Sequence, residues 1–185
     1  FCIDYVLNKS TEENASVVVN LSTSQIIDDI CSKYQATLHR TKIGEPNVTH
    51  RIKQVNALVG GEGNGGIIVP QIGWGRDSLA GIVIALLHCA QTTSSVSQIV
   101  NPYPSYSMVR DKKPLAQRSD VTELLDKIQT KYTNHQLITD DGVKIVMDGS
   151  WVHVRPSNTE PIVRIFAEAK TQADAQSLVD AIHAL

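Results

Sequence analysis

Positive charge is not in surplus in this chain. Its 17 Lys and Arg stand against 19 Asp and Glu, a net charge of −2 with histidine neutral. Aromatic residues make up only 5% of it. A nucleic-acid partner is therefore not expected, because both the basic footprint and the stacking platform such a partner needs are missing. Cysteine is scarce. Cys2, Cys31 and Cys89 lie far apart, form no C-x-x-C pair and are odd in number, which argues against a disulfide framework. Three reduced thiols suit a cytoplasmic protein. The six histidines show neither H-x-x-x-H nor H-E-x-x-H spacing, so no metal site is expected. No apolar run reaches the length of a membrane span, so no membrane contact is expected. The opening FCIDYVLNKS has neither the basic region nor the long apolar core of a signal peptide. It also lacks an initiator methionine and starts inside an apolar run, so the chain is expected to be a piece of a longer polypeptide.

What is present suffices for one large domain or two small ones: 185 residues, 42% of them hydrophobic. The first half alternates strand and helix signals. SVVVNL (16–21) is a β-branched run fit for a buried strand. Ser22, Thr23 and Ser24 offer helix caps, and Ile26, Ile27, Ile30 and Tyr34 repeat at helical spacing. Strands are expected at 36–39, 55–59 and 67–69, and a short helix at 46–54. Asp77 is placed to cap a helix whose apolar face is Leu79, Ile82, Val83, Leu86 and Leu87. This rhythm means an α/β layer structure. A polar stretch and Asn101-Pro-Tyr-Pro104 then break the pattern, since the prolines exclude helix. The expected division is a first domain at 1–95, a linker at 96–104 and a second domain at 105–185. The second half reads differently. After a strand at 106–110 and a helix capped by Ser119 come strands at 136–139, 143–147, 151–155 and 162–167. Asp140-Asp-Gly142 is the hairpin turn between the first two of these. A helix capped by Thr171 ends the chain. Such an order makes an antiparallel sheet backed by helices.

Two loops carry chemistry. In WVHVRPSNTEPIVR (151–164) the strand alternation puts Val152 and Val154 on one face and Trp151, His153 and Arg155 on the other. In the next strand Arg164 lies on the face of Ile162 and Phe166. An antiparallel connection brings both guanidinium groups to the mouth of one loop. Ser157, Asn158 and Thr159 between them are small donors, and Asn tolerates the left-handed backbone that lets N–H groups converge into an anion nest. Pro156 and Pro161 stiffen the ends. Such a cup suits a phosphate dianion, which arginine grips bidentately. The plainer alternative is an ordinary turn with two solvated arginines. The other loop, GGEGNGG (60–66), is neither a P-loop nor G-x-G-x-x-G. A central carboxylate would repel phosphate. Glu62 beside Asn64 instead suits vicinal sugar hydroxyls, one accepting and the other donating and accepting. Here the alternative is a flexible linker.

With both loops in view the chain resembles the α-D-phosphohexomutases, which include phosphoglucomutase, phosphomannomutase and phosphoglucosamine mutase. RPSNTEPIVR is similar to that family's phosphate-binding loop, GGEGNGG to its sugar-binding loop, and Arg40-Thr-Lys-Ile-Gly-Glu45 to a weaker R-T-x-V-G element. The resemblance covers nearly the whole chain. It implies that the first half is the α/β third domain of a four-domain enzyme and the second half its α+β, TATA-binding-protein-like fourth domain. It also implies phosphoryl transfer between O1 and O6 of a hexose phosphate through an active-site phosphoserine and a bisphosphorylated intermediate, an isomerase-class reaction assisted by Mg²⁺ and primed by a hexose 1,6-bisphosphate. On this resemblance Arg155, Ser157, Asn158, Thr159 and Arg164 bind the substrate's non-transferred phosphate, Glu62 and Asn64 bind sugar hydroxyls, and Arg40 and Lys42 are weaker candidates for the cleft.

Some family features are missing from the chain. The phosphoserine motif T-A-S-H-N-P and the D-x-D-x-D-R metal loop are both absent. The expectation is therefore a substrate-recognition half, inactive without the first and second domains. The rival expectation is a stand-alone, non-catalytic module that binds sugar phosphates.

Overall fold

The β-branched run near residue 18 organises the first half. In the computed structural model, which describes residues 1–117, 119–157 and 160–185, the chain divides into two units, Phe1–Pro104 and Ser105–Leu185. The first unit contains α1 (Cys2–Lys9), β1 (Ser16–Asn20), α2 (Ile26–Lys33), β2 (Thr37–Thr41), α3 (Glu45–Val55), β3 (Val59–Gly61), β4 (Ile67–Ile68), α4 (Ser78–Thr92) and α5 (Val96–Val100). The strand order is β2-β1-β3-β4, with β1 parallel to both neighbours and β4 antiparallel to β3. Val17 and Val19 pack with Ile3, Leu7, Ile27 and Ile84 from α1, α2 and α4, while Val18 packs with Val48 and Ile52 of α3. Covered on both faces, β1 is apolar without alternation.

The third strand lies later than the expected 55–59. Helix α3 continues to Val55 and is ended by Asn56 in the left-handed conformation, φ 49°. Pairing with β1 starts at Val59 and draws Gly60 and Gly61 into the sheet. A Cβ on Gly60 would lie 2.6 Å from Ile52 Cδ1 and 2.8 Å from the Val18 carbonyl oxygen, so the strand needs glycine there. The first two glycines of the loop are thus sheet residues.

Asp77 caps α4 as expected, its carboxylate accepting the Ala80 N–H at 3.0 Å. The buried face of α4 is not the expected one. Ala80, Ile84 and His88 turn inward, whereas Leu79, Ile82, Val83, Leu86 and Leu87 are 43% to 73% exposed. The helix is apolar on both sides, so periodicity could not rank them. Close approach decides the matter: a Cβ on Gly81 would lie 3.1 Å from Ile67 Cγ2, and only the small-residue side fits so near the sheet. The stretch expected as a linker carries α5, closed by a Ser95–Gln98 capping box. It groups with the first unit, where Tyr103 donates to Asp4 Oδ2 at 2.7 Å.

The second unit contains β5 (Ser107–Pro114), α6 (Ser119–Lys131), β6 (Gln136–Ile138), β7 (Val143–Met147), β8 (Ser150–Pro156), β9 (Ile162–Ala169) and α7 (Gln172–His183). Its antiparallel sheet has the order β5-β9-β8-β7-β6. Val152, Val154, Val163, Ile165 and Ala167 face the helices and meet Leu124, Ile128, Val179 and Ile182. Strand β5 extends beyond the expected 106–110, through Asp111, Lys112 and Lys113 to Pro114. It is an edge strand, where lysine and proline are tolerated because one side of the ladder is open. The fold is an α/β unit followed by an α+β unit. Among the described residues no helix is long and apolar enough to cross a membrane.

Candidate functional site

The β8–β9 hairpin positions the two arginines. Arg155 and Arg164 are direct cross-strand partners, and Pro156 pairs with Val163. The Ser157 N–H donates to the Ile162 carbonyl at 2.9 Å, closing the loop at its base. The Leu115 N–H donates to the Pro161 carbonyl at 3.0 Å, which ties the loop to the end of β5. Asn158 and Thr159 lie outside the described residues. Arg155 is half-buried, and its Nε lies 3.3 Å from Asp141 Oδ2. Arg164 is exposed, and its guanidinium makes no hydrogen bond or ion pair among the described residues.

Asp141 was missed by the sequence reading, which saw Asp140-Asp-Gly142 only as a turn. Its carboxylate braces Arg155 while its carbonyl oxygen sits 2.6 Å from His153 Nε2. His153 is fully buried, and that burial pushes its pKa down to about 4. The neutral ring is therefore favoured in the folded state. Below the ordinary value of 6.5 the unfolded chain takes up a proton that the folded chain refuses, so stability falls as pH drops from 6.5 toward 4. Between pH 7.5 and pH 5 this linkage is expected to remove about 2 kcal/mol. Urea unfolding of the second unit at both pH values, compared with His153→Gln, checks this. The variant should lose distinctly less stability on acidification.

The 60–66 loop is a tight connection between β3 and β4. The Glu62 N–H donates to the Gly66 carbonyl at 2.9 Å, and Gly65 adopts φ 93°. Glu62 and Asn64 do not share one environment. Asn64 is exposed at the tip, and its Oδ1 accepts the Gly66 N–H at 3.0 Å. Glu62 is buried and heavily engaged. Its Oε1 accepts from Asn20 Nδ2 at 3.1 Å and from the Gly44 N–H at 3.3 Å, and Arg76 Nη1 lies 3.3 Å from Oε2. Arg76 also bonds Glu45 at 2.7 Å, which holds the Glu45 carboxyl below its usual range. A side chain on Gly66 would collide with Arg76, so the glycine is what lets the guanidinium cross the loop. Arg76 carried no sequence signal, because its partners stand 14 and 31 positions away. A cavity of about 430 Å³ in the second unit and one of about 790 Å³ in the first adjoin the two loops, the latter lined by Asn64, Gly66, Arg76 and Glu45 among others.

Arg76→Met leaves buried Glu62 without its cation, so the first unit's urea midpoint should fall. Adding Glu62→Gln to that variant should recover most of the loss, because the uncompensated charge is then gone.

Arg40 serves the local fold. Its Nη1 donates to the Thr23 carbonyl at 2.8 Å, and its Nη2 bonds Asp28 Oδ2 at 2.7 Å, pinning the turn after β1. Lys42 is exposed. Among the described residues no group of three or more His, Cys, Asp or Glu side chains is placed to hold a metal ion.

Comparison with known proteins gives a consistent result. Residues 1–106 match the model of phosphoglucomutase/phosphomannomutase alpha/beta/alpha domain III, and residues 108–185 match that of the phosphoglucomutase/phosphomannomutase C-terminal domain. The chain is similar to a phosphoglucosamine/phosphogalactosamine mutase of Sulfurisphaera tokodaii, 34% identical over 93% of this chain and 38% of the relative. It is similar also to a phosphoglucomutase/phosphomannomutase of Thermococcus kodakarensis, 32% identical over 89% of this chain and 36% of the relative. It thus spans about two-fifths of their length. Among solved structures, a phosphoglucomutase/phosphomannomutase family protein of Burkholderia thailandensis superposes with TM-score 0.78 at 19% identity, covering 97% of this chain and 38% of that one. An Aspergillus fumigatus N-acetylphosphoglucosamine mutase variant, solved in complex with glucose 1,6-bisphosphate, superposes with TM-score 0.68 at 14% identity, covering 98% and 41%. At such identities the superpositions speak for the fold alone.

Proposed function

Because this chain belongs to the phosphoglucomutase/phosphomannomutase family, we propose that it recognises a hexose phosphate, glucosamine or mannose phosphate foremost, as the substrate-binding part of a longer phosphohexomutase in the cytoplasm. The whole enzyme would move a phosphoryl group between O1 and O6 through a phosphoserine and a bisphosphorylated sugar. The observation that carries the reading is the pairing of Arg155 directly opposite Arg164 at the mouth of the 157–161 loop. Like charges directly opposite each other in a sheet are destabilising, and a dianion between them turns that repulsion into two charge-assisted contacts. Asp141 fixes the first arginine, and the exposed Arg164 is left to meet the ligand. Ser157, Asn158 and Thr159 supply the remaining donors in this reading. In the first unit Glu62, held by Asn20, Gly44 and Arg76, keeps an oriented carboxylate for sugar hydroxyls, with Asn64 at the exposed tip.

The magnesium ion that the resemblance implies for the whole enzyme would be held by a D-x-D-x-D-R loop, which this sequence does not contain. The chain has no T-A-S-H-N-P motif to accept a phosphoryl group. It is assigned binding and orientation, while phosphoryl transfer falls to polypeptide such as the longer relatives possess. The test is a calorimetric titration with glucosamine 6-phosphate, mannose 6-phosphate and inorganic phosphate, run beside a mutase assay. Binding without turnover is expected. Turnover by the chain alone would contradict the division of labour, and absence of any phosphate binding would contradict the assigned site.

A further inference from the structure

We propose that Lys112 is a third cation of the phosphate site, an anchor for the phosphomonoester that the Arg155–Arg164 pair receives; this rests on the phosphate-loop reading above. Lys112 on β5 is the cross-strand partner of Arg164 on β9, and Arg164 is the partner of Arg155 on β8. Three cations thus stand in one row across three adjacent strands, on the face away from the helices. Arg110, two residues earlier on the same face, is opposite Phe166. A row of like charges at direct cross-strand positions is unfavourable by itself, and of the three only Arg155 has an ion pair of its own among the described residues, with Asp141. Neither the Arg164 guanidinium nor the Lys112 ammonium group has a hydrogen-bond or ion-pair partner among the described residues, although the Lys112 charge acts on neighbouring Asp111.

The space beside this row fits the assignment. A cavity of about 430 Å³ is lined by Arg110, Lys112, Glu160, Ile162, Arg164 and Phe166, so the loop's Glu160, Arg164 and the lysine border one volume, with Arg155 one strand further on. Asp111 borders it as well, but its carboxylate is turned to His183, 2.9 Å away on α7. Glu160 is the opposing charge at the rim and is exposed. Phe166 and Ile162 give the cavity an apolar floor. Beside such a surface a cation–phosphate contact is screened less than in open water. An edge strand also uses lysine simply to repel a further strand. That role asks only for charge on the edge, whereas a phosphate anchor asks for charge on this face and in this row.

The experiment compares six forms of the chain for binding of inorganic phosphate and glucosamine 6-phosphate by calorimetry, with urea unfolding in parallel. They are the unsubstituted chain, Lys112→Gln, Lys112→Arg, Arg164→Ala, Arg155→Ala and the control Lys131→Gln, an exposed lysine at the end of α6 on the helix side of the sheet. Lys112→Gln is expected to weaken both ligands roughly 5- to 10-fold, as fits loss of one charge contact that solvent screens at an exposed edge strand. Its stability should be unchanged or raised, since a cross-strand repulsion is removed. Lys112→Arg should stay within about 2-fold of the unsubstituted chain, and Lys131→Gln should not differ from it, as surface charges elsewhere contribute little. Unchanged binding in Lys112→Gln, where Arg164→Ala weakens binding, would overturn the role of Lys112 and leave the phosphate loop standing. Unchanged binding in Arg164→Ala and Arg155→Ala, or no binding by the unsubstituted chain, would overturn both.

Discussion

Arg164→Ala is expected to raise the dissociation constants for inorganic phosphate and glucosamine 6-phosphate by about 30- to 150-fold while leaving stability almost untouched. The side chain is exposed and has no partner among the described residues, so its removal takes nothing from the fold. Paired charge-assisted hydrogen bonds from a guanidinium to phosphate oxygens contribute about 2–3 kcal/mol, which sets the magnitude. Arg164→Lys should recover only part of it, because a point charge cannot reproduce the planar fork. Arg155→Ala should behave differently. Arg155 is half-buried against Asp141, so binding and stability should fall together as that carboxylate loses its cation. Calorimetry with urea unfolding on the same samples separates the two patterns. Equal binding by Arg164→Ala and the unsubstituted chain would remove the anion from this turn.

Gly142→Ala should be among the most damaging single-methyl changes in the second unit, at about 3–4 kcal/mol. Gly142 adopts φ 72°, and a Cβ there would collide with the Val154 carbonyl oxygen and lie 2.7 Å from Arg155 Cα. Two penalties add, a left-handed conformation in a residue with a side chain and overlap with backbone that cannot rotate away. The turn that must move also holds Asp141, so His153 and Arg155 lose their partner when it does. Phosphate affinity should therefore drop with stability, although Gly142 is no part of the 157–161 loop proposed to bind it. Trp151 is buried beside Glu168, with its Nε1 donating at 2.8 Å, and Trp74 is half exposed. The unfolding of the second unit can thus be followed by the emission of Trp151. A midpoint unchanged in urea would contradict this role for the turn.

Much of this was legible in the residues. The unalternating SVVVNL run, the Asp77 cap and the alternation of Val152, Val154, Val163 and Ile165 each read correctly, because strand burial and helix capping are local patterns. The two loops stood out because arginine, proline and small donors, or glycines around a carboxylate, are unusual company. What escaped notice depended on register or on which side of an element was covered. The polar Asp111-Lys-Lys-Pro114 segment does not look like a strand, yet it pairs with β9 along its length, and without that pairing Lys112 has no address. The buried side of α4 is not legible in the sequence because both its sides are apolar, and the contact at Gly81 rather than hydrophobicity chooses between them. Asp141 and Arg76 were invisible for a further reason. Their partners meet them only after hairpin closure or across 14 and 31 positions of sequence.

The most direct single measurement is amide chemical-shift mapping of the isotopically labelled chain during titration with inorganic phosphate. Saturable shifts concentrated between Arg155 and Arg164, Ser157 and Glu160 included, are expected, and they should disappear in Arg164→Ala. Saturation that perturbs other segments and spares this one, or no saturable shift in it at all, would contradict a phosphate site in the β8–β9 turn.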